Sequence, residues 1–214
     1  MKVAVLFSGG KDSVFTAFCC MQSGWETILL TVEPEEYSTM FHHPNVKWCK
    51  KQAESMGLPI KTIRAKGKGE IAELEAVRIS LASLKVDGVA AGAIESEYQR
   101  ERIDRIAHQL GICSFCPIWR TSRALLPEIT RYFEAYIMAV SAEGLTESDL
   151  GARFDGKFLE RISRFKIPIS PCLEGGEGET FVANAPFFKK GLKIVKMEKK
   201  FDGMRGVAEI TSLR

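Results

Sequence analysis

The sequence has no apolar run approaching the roughly 18–20 residues needed to cross a membrane. Its best stretch, Val86 to Ile94, is interrupted by Asp87, Gly88 and Gly92. The start, Met1-Lys2-Val3-Ala4-Val5-Leu6-Phe7, is too short in apolar length for a signal peptide, and no small-residue cleavage site follows. A charge bias is also lacking: 30 Lys and Arg against 27 Asp and Glu leave +3, too small a surplus to make nucleic acid the default partner. No internal repeat, low-complexity tract or flexible linker is present. Six cysteines could make three disulfides, but 214 residues can build a core without them and nothing indicates export, so reduced thiols in the cytoplasm are expected. At 45% hydrophobic and 27% charged residues, this is an ordinary globular composition with room for one full domain and a smaller one.

Short apolar runs alternate with helical periodicity along the first half. Val3 to Phe7 reads as a strand buried on both faces, followed by a helix with Val14, Ala17, Phe18 and Met21 inward and Gly24 at its end. Trp25 to Val32 reads as the second strand, and a helix beginning at Pro44 leads to a third over Ile60 to Ile63. Another helix precedes the fourth strand, Val86 to Ile94; Ser96 and Gln99 form a capping-box pattern for the next helix, and Ile112 to Phe115 is the fifth strand. This rhythm predicts an α/β fold with an open parallel sheet and helices on both faces. Beyond Pro117 the rhythm loosens into a helix around Leu125 to Phe133, a strand from Tyr136 and a short helix near Phe158. Strand-like segments at Thr180 to Ala183, Leu192 to Met197 and Val207 to Leu213 follow, which predicts a smaller α+β unit. The expected division is 1–116 and 117–214.

Ser8-Gly9-Gly10-Lys11-Asp12-Ser13 lies between the first strand and first helix. Two glycines allow close backbone approach, and the N–H groups and dipole of a helix start favour an anion, phosphate above all. Lys11 adds a positive charge, and the hydroxyls of Ser8 and Ser13 can donate. Asp12 beside phosphates needs a divalent cation between them, which implies Mg²⁺. A Walker A loop would need Gly at Val5 and Ser or Thr at Asp12, and G-x-G-x-x-G spacing is absent. The loop resembles instead the PP-loop of the N-type ATP pyrophosphatases, which hold the β- and γ-phosphates of ATP and leave the α-phosphorus open to attack.

Glu174-Gly175-Gly176-Glu177-Gly178-Glu179-Thr180 sets three carboxylates among three glycines, a composition suited to a cation, although on residue types alone an acidic surface loop fits as well. Gly92-Ala93-Ile94 with Tyr98-Gln99 and Arg102, Pro117-Ile118-Trp119, this acidic loop through Thr180-Phe181-Val182, and Ala185-Pro186-Phe187-Phe188-Lys189 together resemble the diphthine-ammonia ligase family of PP-loop enzymes, nearly end to end. The resemblance implies a sheet ordered third, second, first, fourth, fifth. It implies amidation of diphthine on elongation factor 2 by ATP and ammonium through an acyl-adenylate. Carried over by position, it implies that Ser8, Gly9, Gly10, Lys11, Asp12 and Ser13 bind ATP, with Val32, Met40, His42 and Gly92 beside them. Ser96, Tyr98, Gln99 and Arg102, with Trp119, Gly175, Gly176 and Thr180, fall on the acceptor side. Lys11, Asp12, Glu174, Glu177 and Glu179 are the expected catalytic groups, with Asp12 on the metal.

Two positions depart from the family's pattern: Leu173 stands where glycine is usual and Gly178 where an aromatic is usual. The chain ends at Arg214, without the further domains expected of eukaryotic members, which suits a short archaeal type. Ammonium is expected to be free, since no glutaminase segment is visible, and a homodimer is left open. The rival enzyme class is tRNA modification by the same ATP chemistry. Cys113-Ser114-Phe115-Cys116 is a lone C-x-x-C, and a metal site needs a second pair or added His. His42 and His43 are expected in a loop entering a helix.

Overall fold

The structure, a computed structural model, describes residues 1–33, 44–67 and 69–214. Strands β1 (Lys2–Leu6), β2 (Glu26–Glu33), β3 (Ile60–Arg64), β4 (Gly88–Ala90) and β5 (Cys113–Phe115) form a parallel sheet in the order β3-β2-β1-β4-β5. The helices between them are α1 (Lys11–Gln22), α2 (Cys49–Met56), α3 (Glu70–Leu84) and α4 (Glu97–Leu110). Because side chains alternate along a strand, Val3 and Val5 of β1 enter one core with Val14 and Ala17 of α1 and Ala53 of α2. Ala4 enters another with Val77 of α3 and Ile103 of α4. Helices therefore cover both faces, as the near-continuous apolar strands require.

The remainder comprises α5 (Ser122–Tyr132), β6 (Glu134–Val140), α6 (Gly156–Ile162), β7 (Gly178–Asn184), β8 (Ile194–Phe201) and β9 (Gly206–Leu213). Its strands form an antiparallel sheet ordered β7-β6-β9-β8. Ile129, Ile137 and Phe181 lie in the same core cluster as Val5 and Val14, so the apolar interior runs unbroken past residue 117. Aromatic rings cross the junction: Phe15 and Phe18 of α1 meet Phe133 and Phe187 at centroid distances of 5.9 and 4.7 Å.

Among the elements that differ from the sequence expectation, β8 runs to Phe201 instead of ending at Met197, and two others differ for a visible structural reason. The helix expected from Pro44 is a 3-10 turn over Val46–Trp48 that becomes α-helical at Cys49. The preceding residues are committed to the second sheet: Asn45 Nδ2 donates to the Ala208 carbonyl at 3.0 Å, and its Oδ1 accepts from the Ile210 amide at 2.8 Å. Trp48 Nε1 donates to the Ile210 carbonyl at 2.9 Å. The fourth strand is shorter than Val86 to Ile94 because the chain leaves the sheet at Gly92, which passes against the first turn of α1. A β-carbon on Gly92 would lie 2.9 Å from the Asp12 carbonyl carbon, so only glycine fits this approach. Among the described residues, no helix is long and apolar enough to cross a membrane.

Candidate active site

A cleft of about 390 Å³ opens at the carboxyl ends of β1, β2 and β4, where neighbouring connections leave the sheet in opposite directions. Ser8, Gly10, Lys11, Asp12 and Ser13 form its floor, and Val32, Gly92, Ser96, Tyr98 and Gln99 also line it. Glu174, Gly175, Gly176, Glu179 and Thr180 close it from the second sheet. The structure thus brings most of the expected residues of both segments into one cavity. Leu30, Val32, Val46 and Ile103 give it an apolar wall.

The glycine loop is knitted by its own hydroxyls. Ser13 Oγ donates to the Gly10 carbonyl at 3.1 Å and lies 3.3 Å from Ser8 Oγ. Gly10 is the N-cap of α1 and has no side chain to cap it, so the helix start faces the cleft. Edge strand β7 docks on the same loop: the Val182 amide donates to the Gly9 carbonyl at 3.0 Å, and Thr180 Oγ1 accepts from the Lys11 amide at 3.0 Å. An edge strand leaves a row of polar backbone groups unpaired, and here the nucleotide-type loop satisfies part of it.

Lys11 does not extend into the open cleft as an isolated charge. Its Nζ is buried, 2.7 Å from Asp12 Oδ2 and 2.7 Å from the Cys172 carbonyl, and ties the loop to the acidic segment. Burial disfavours its charge, but the adjacent Asp12 carboxylate outweighs this and raises its pKa, with Glu174 adding to the effect. For Asp12 the balance tips the other way: burial raises its pKa more than Lys11 lowers it, and Glu179 raises it further. Glu174 is pushed up to about 7 by burial first and then by Asp12, with smaller contributions from Glu179 and Glu95 that Lys11 opposes. One buried cation therefore serves several carboxylates.

Asp12 Oδ1 is buried and has no hydrogen-bond partner among the described residues. A buried carboxylate oxygen left in this state costs free energy unless something positive meets it, so Asp12 suits the role of a single protein ligand to a hard divalent cation such as Mg²⁺, whose other ligands would be phosphate oxygens and water.

Four expected residues lie outside the cleft lining. Glu177 turns away, its Oε2 accepting from the Ser170 amide at 2.8 Å, and thereby holds the loop in shape. Gly9 turns its carbonyl back to Val182 and Gln52. Arg102 pairs with Glu70 on α3, which also accepts from Tyr98, and these bonds hold the Glu70 carboxyl below its usual pKa. Trp119 sits on a neighbouring surface, with the guanidinium of Arg100 4.8 Å and that of Arg120 5.6 Å from its ring centre. Met40, His42 and His43 lie outside the described residues.

Residues that sequence reasoning missed are Gln52, buried behind the loop, and the Cys172 carbonyl that receives Lys11. Gln52 did leave a signal, since a polar residue three after Cys49 and four before Met56 falls on the apolar stripe of its helix. Leu173 has φ +57°, the left-handed region that favours glycine. All six cysteines are free; Cys113 is exposed, and Cys116 packs partly against the second core. Among the described residues no group of three or more His, Cys, Asp or Glu is placed to hold a metal.

Comparison with known proteins places these observations in a family. The model of the diphthamide synthase N-terminal domain matches residues 1–114, and that of the diphthamide synthase C-terminal domain matches residues 121–213. A diphthine–ammonia ligase from Bos taurus is 31% identical over 246 residues, covering all of this chain and 90% of the relative. One from Schizosaccharomyces pombe is 31% identical over 92% of this chain but only 37% of its own length, so the added length expected of eukaryotic members fits the yeast relative and not the bovine one. The match to a solved structure described as a predicted subunit of tRNA methyltransferase from Methanocaldococcus jannaschii covers 87% of this chain and 98% of that one, with 18% identity and a TM-score of 0.47. The two domain matches together span nearly the whole sequence: the chain belongs to the diphthamide synthase family.

Proposed function

We propose that this chain is an AMP-forming ligase that converts the diphthine carboxylate of elongation factor 2 to the amide with ATP and ammonium. The observation that carries the reading is that one cleft is lined jointly by the glycine loop and the acidic loop, with the Lys11 amide bonded to Thr180 and its ammonium to Asp12 and the Cys172 carbonyl. Helix α1 and the loop amides would hold the β- and γ-phosphates, and Leu30, Val32, Val46 and Ile103 offer an apolar surface for the purine. Residues 1–116 would then supply the nucleotide side and 117–214 the acceptor side.

In the first step an oxygen of the acceptor carboxylate attacks the α-phosphorus, and the bond to the bridging oxygen of pyrophosphate breaks. The loop amides and the fixed charge of Lys11 stabilise the departing pyrophosphate. Asp12 is the residue that would hold Mg²⁺, which when bound neutralises phosphate charge. In the second step ammonia attacks the acyl carbon of the adenylate and AMP leaves. Glu174, ionising near neutrality and facing the cleft, is suited to take the proton that ammonium must lose, and Glu179 faces the same space.

The test is to incubate the protein with ATP, Mg²⁺, ammonium and diphthine-bearing elongation factor 2. The expected result is AMP and pyrophosphate with an amidated acceptor seen by mass spectrometry. AMP formed only with tRNA, in a salt-dependent manner, would overturn the reading.

A further inference from the structure

The side chain of Gln52 is fully buried on α2, behind the glycine loop. Its Nε2 lies 2.9 Å from the Gly9 carbonyl and 2.8 Å from the Val182 carbonyl, so both amide hydrogens are used. The assignment of nitrogen to this position is forced, because an oxygen there would face two carbonyl oxygens. The Gly9 carbonyl also accepts from the Val182 amide, so two donors hold it from the side away from the cleft.

That placement has a consequence on the other side of the peptide plane. No peptide bond here is cis, and in a trans peptide C=O and N–H point in opposite directions. Holding the Gly9 oxygen to the rear therefore aims the Gly10 N–H forward, where it makes a long 3.4 Å bond to Ser8 Oγ that a phosphate oxygen would replace; Gly10 and Ser8 line the cleft whereas Gly9, Gln52 and Val182 do not. The geometry is available only to glycine at position 9: its φ is +79°, and a β-carbon there would collide with Gln52 Oε1.

We propose that Gln52 is a positioning residue for ATP, which sets the Gly9–Gly10 peptide so that the loop presents a donor, not a carbonyl, to the phosphates. This rests on the functional reading above. A carbonyl oxygen facing the anion would repel it, so the orientation of this one peptide changes the sign of a dipole at the site. Gln52 acts through the loop and touches no substrate, and its effect falls on ATP and not on ammonium.

Gln52→Met keeps the length and shape of the side chain and removes both donors. The expected result is a KM for ATP, and a Kd for a non-hydrolysable ATP analogue by calorimetry, raised about 10- to 30-fold, as the loss of two ordinary hydrogen bonds implies. The KM for ammonium is expected to stay within twofold of the parent, a split that general loosening of the fold would not produce. Should Gln52→Met fail to fold, Gln52→Glu, which sets an oxygen between the two carbonyls, gives the same comparison. A parent that binds the analogue alongside a folded variant that binds it equally well would overturn this proposal alone. A parent that binds no analogue would overturn the functional reading, and this inference with it.

Discussion

Leu173 Cδ1 lies 3.1 Å from the point a β-carbon on Gly178 would occupy, so these two residues share one space beside the cleft. The leucine fills room that a larger residue at 178 would enter. A β-carbon at 178 would also meet the Ala139 carbonyl at 2.9 Å, and that backbone cannot swing aside as a side chain can. Gly178→Ala is expected to lower stability by about 1–3 kcal/mol. Adding Leu173→Gly should recover only part of the loss, since the clash with Ala139 remains. Denaturant midpoints for the three proteins check this, and an unchanged midpoint for Gly178→Ala would contradict it.

Glu174 should make stability depend on pH. Its pKa in the fold is about 7 against an ordinary 4.5, so between these values the folded state holds more proton than the unfolded one. Stability from this group therefore falls as pH rises through that window, and the full penalty, up to about 3 kcal/mol, is present above it. Glu174→Gln removes the penalty. The variant is expected to melt higher than the parent at pH 8 and alongside it at pH 4.5, which thermal melts across that range would show.

Lys11→Ala is expected to reduce AMP formation at least about 100-fold, the scale of losing a preorganised charge at a developing anion. It also leaves the Asp12 carboxylate without its 2.7 Å partner, and should cost about 3 kcal/mol of stability. Adding Asp12→Asn should restore much of the stability and none of the activity. A double variant that recovered both would show that Lys11 acts only as a structural tie.

The two glutamates of the acidic loop should separate in assays. Glu174→Gln is expected to lower amidation by about 10²–10⁴, the usual range for loss of a positioned proton acceptor. Glu177→Gln should leave amidation within a few-fold of the parent, because its carboxylate is turned to the Ser170 amide. Quantifying amidated acceptor by mass spectrometry at saturating ATP tests both. Equal losses would return Glu177 to the reacting centre.

The parallel sheet was legible because the central strands β1, β2 and β4 are largely apolar and were followed by Gly, Pro or a helix start, as at Ser8-Gly9-Gly10. The long-range ties were not. Asn45 reaches residues 208 and 210, and Gln52 reaches Val182, across more than a hundred positions, and no local pattern encodes such pairings. Arg102 was misplaced for a helical reason: it lies four residues after Tyr98 and so shares the face that meets Glu70, with its guanidinium 3.2 Å from the Tyr98 ring centre. Trp119 follows the fifth strand into a turn where the Arg120 amide is bonded to the Ile94 carbonyl, which carries the indole toward Arg100 instead of the cleft.

The aromatic seam between α1 and the segment holding Phe133 and Phe187 bears on how this protein can be divided. Cut at residue 116, the amino-terminal piece would present Phe15 and Phe18 to water and lose the strand that closes its glycine bend. Such a fragment should be sticky and poorly soluble when produced alone. Exchanging halves with a relative would demand matching the rings on both sides, and a split between the two family domains is a poor choice for complementation or biosensor work.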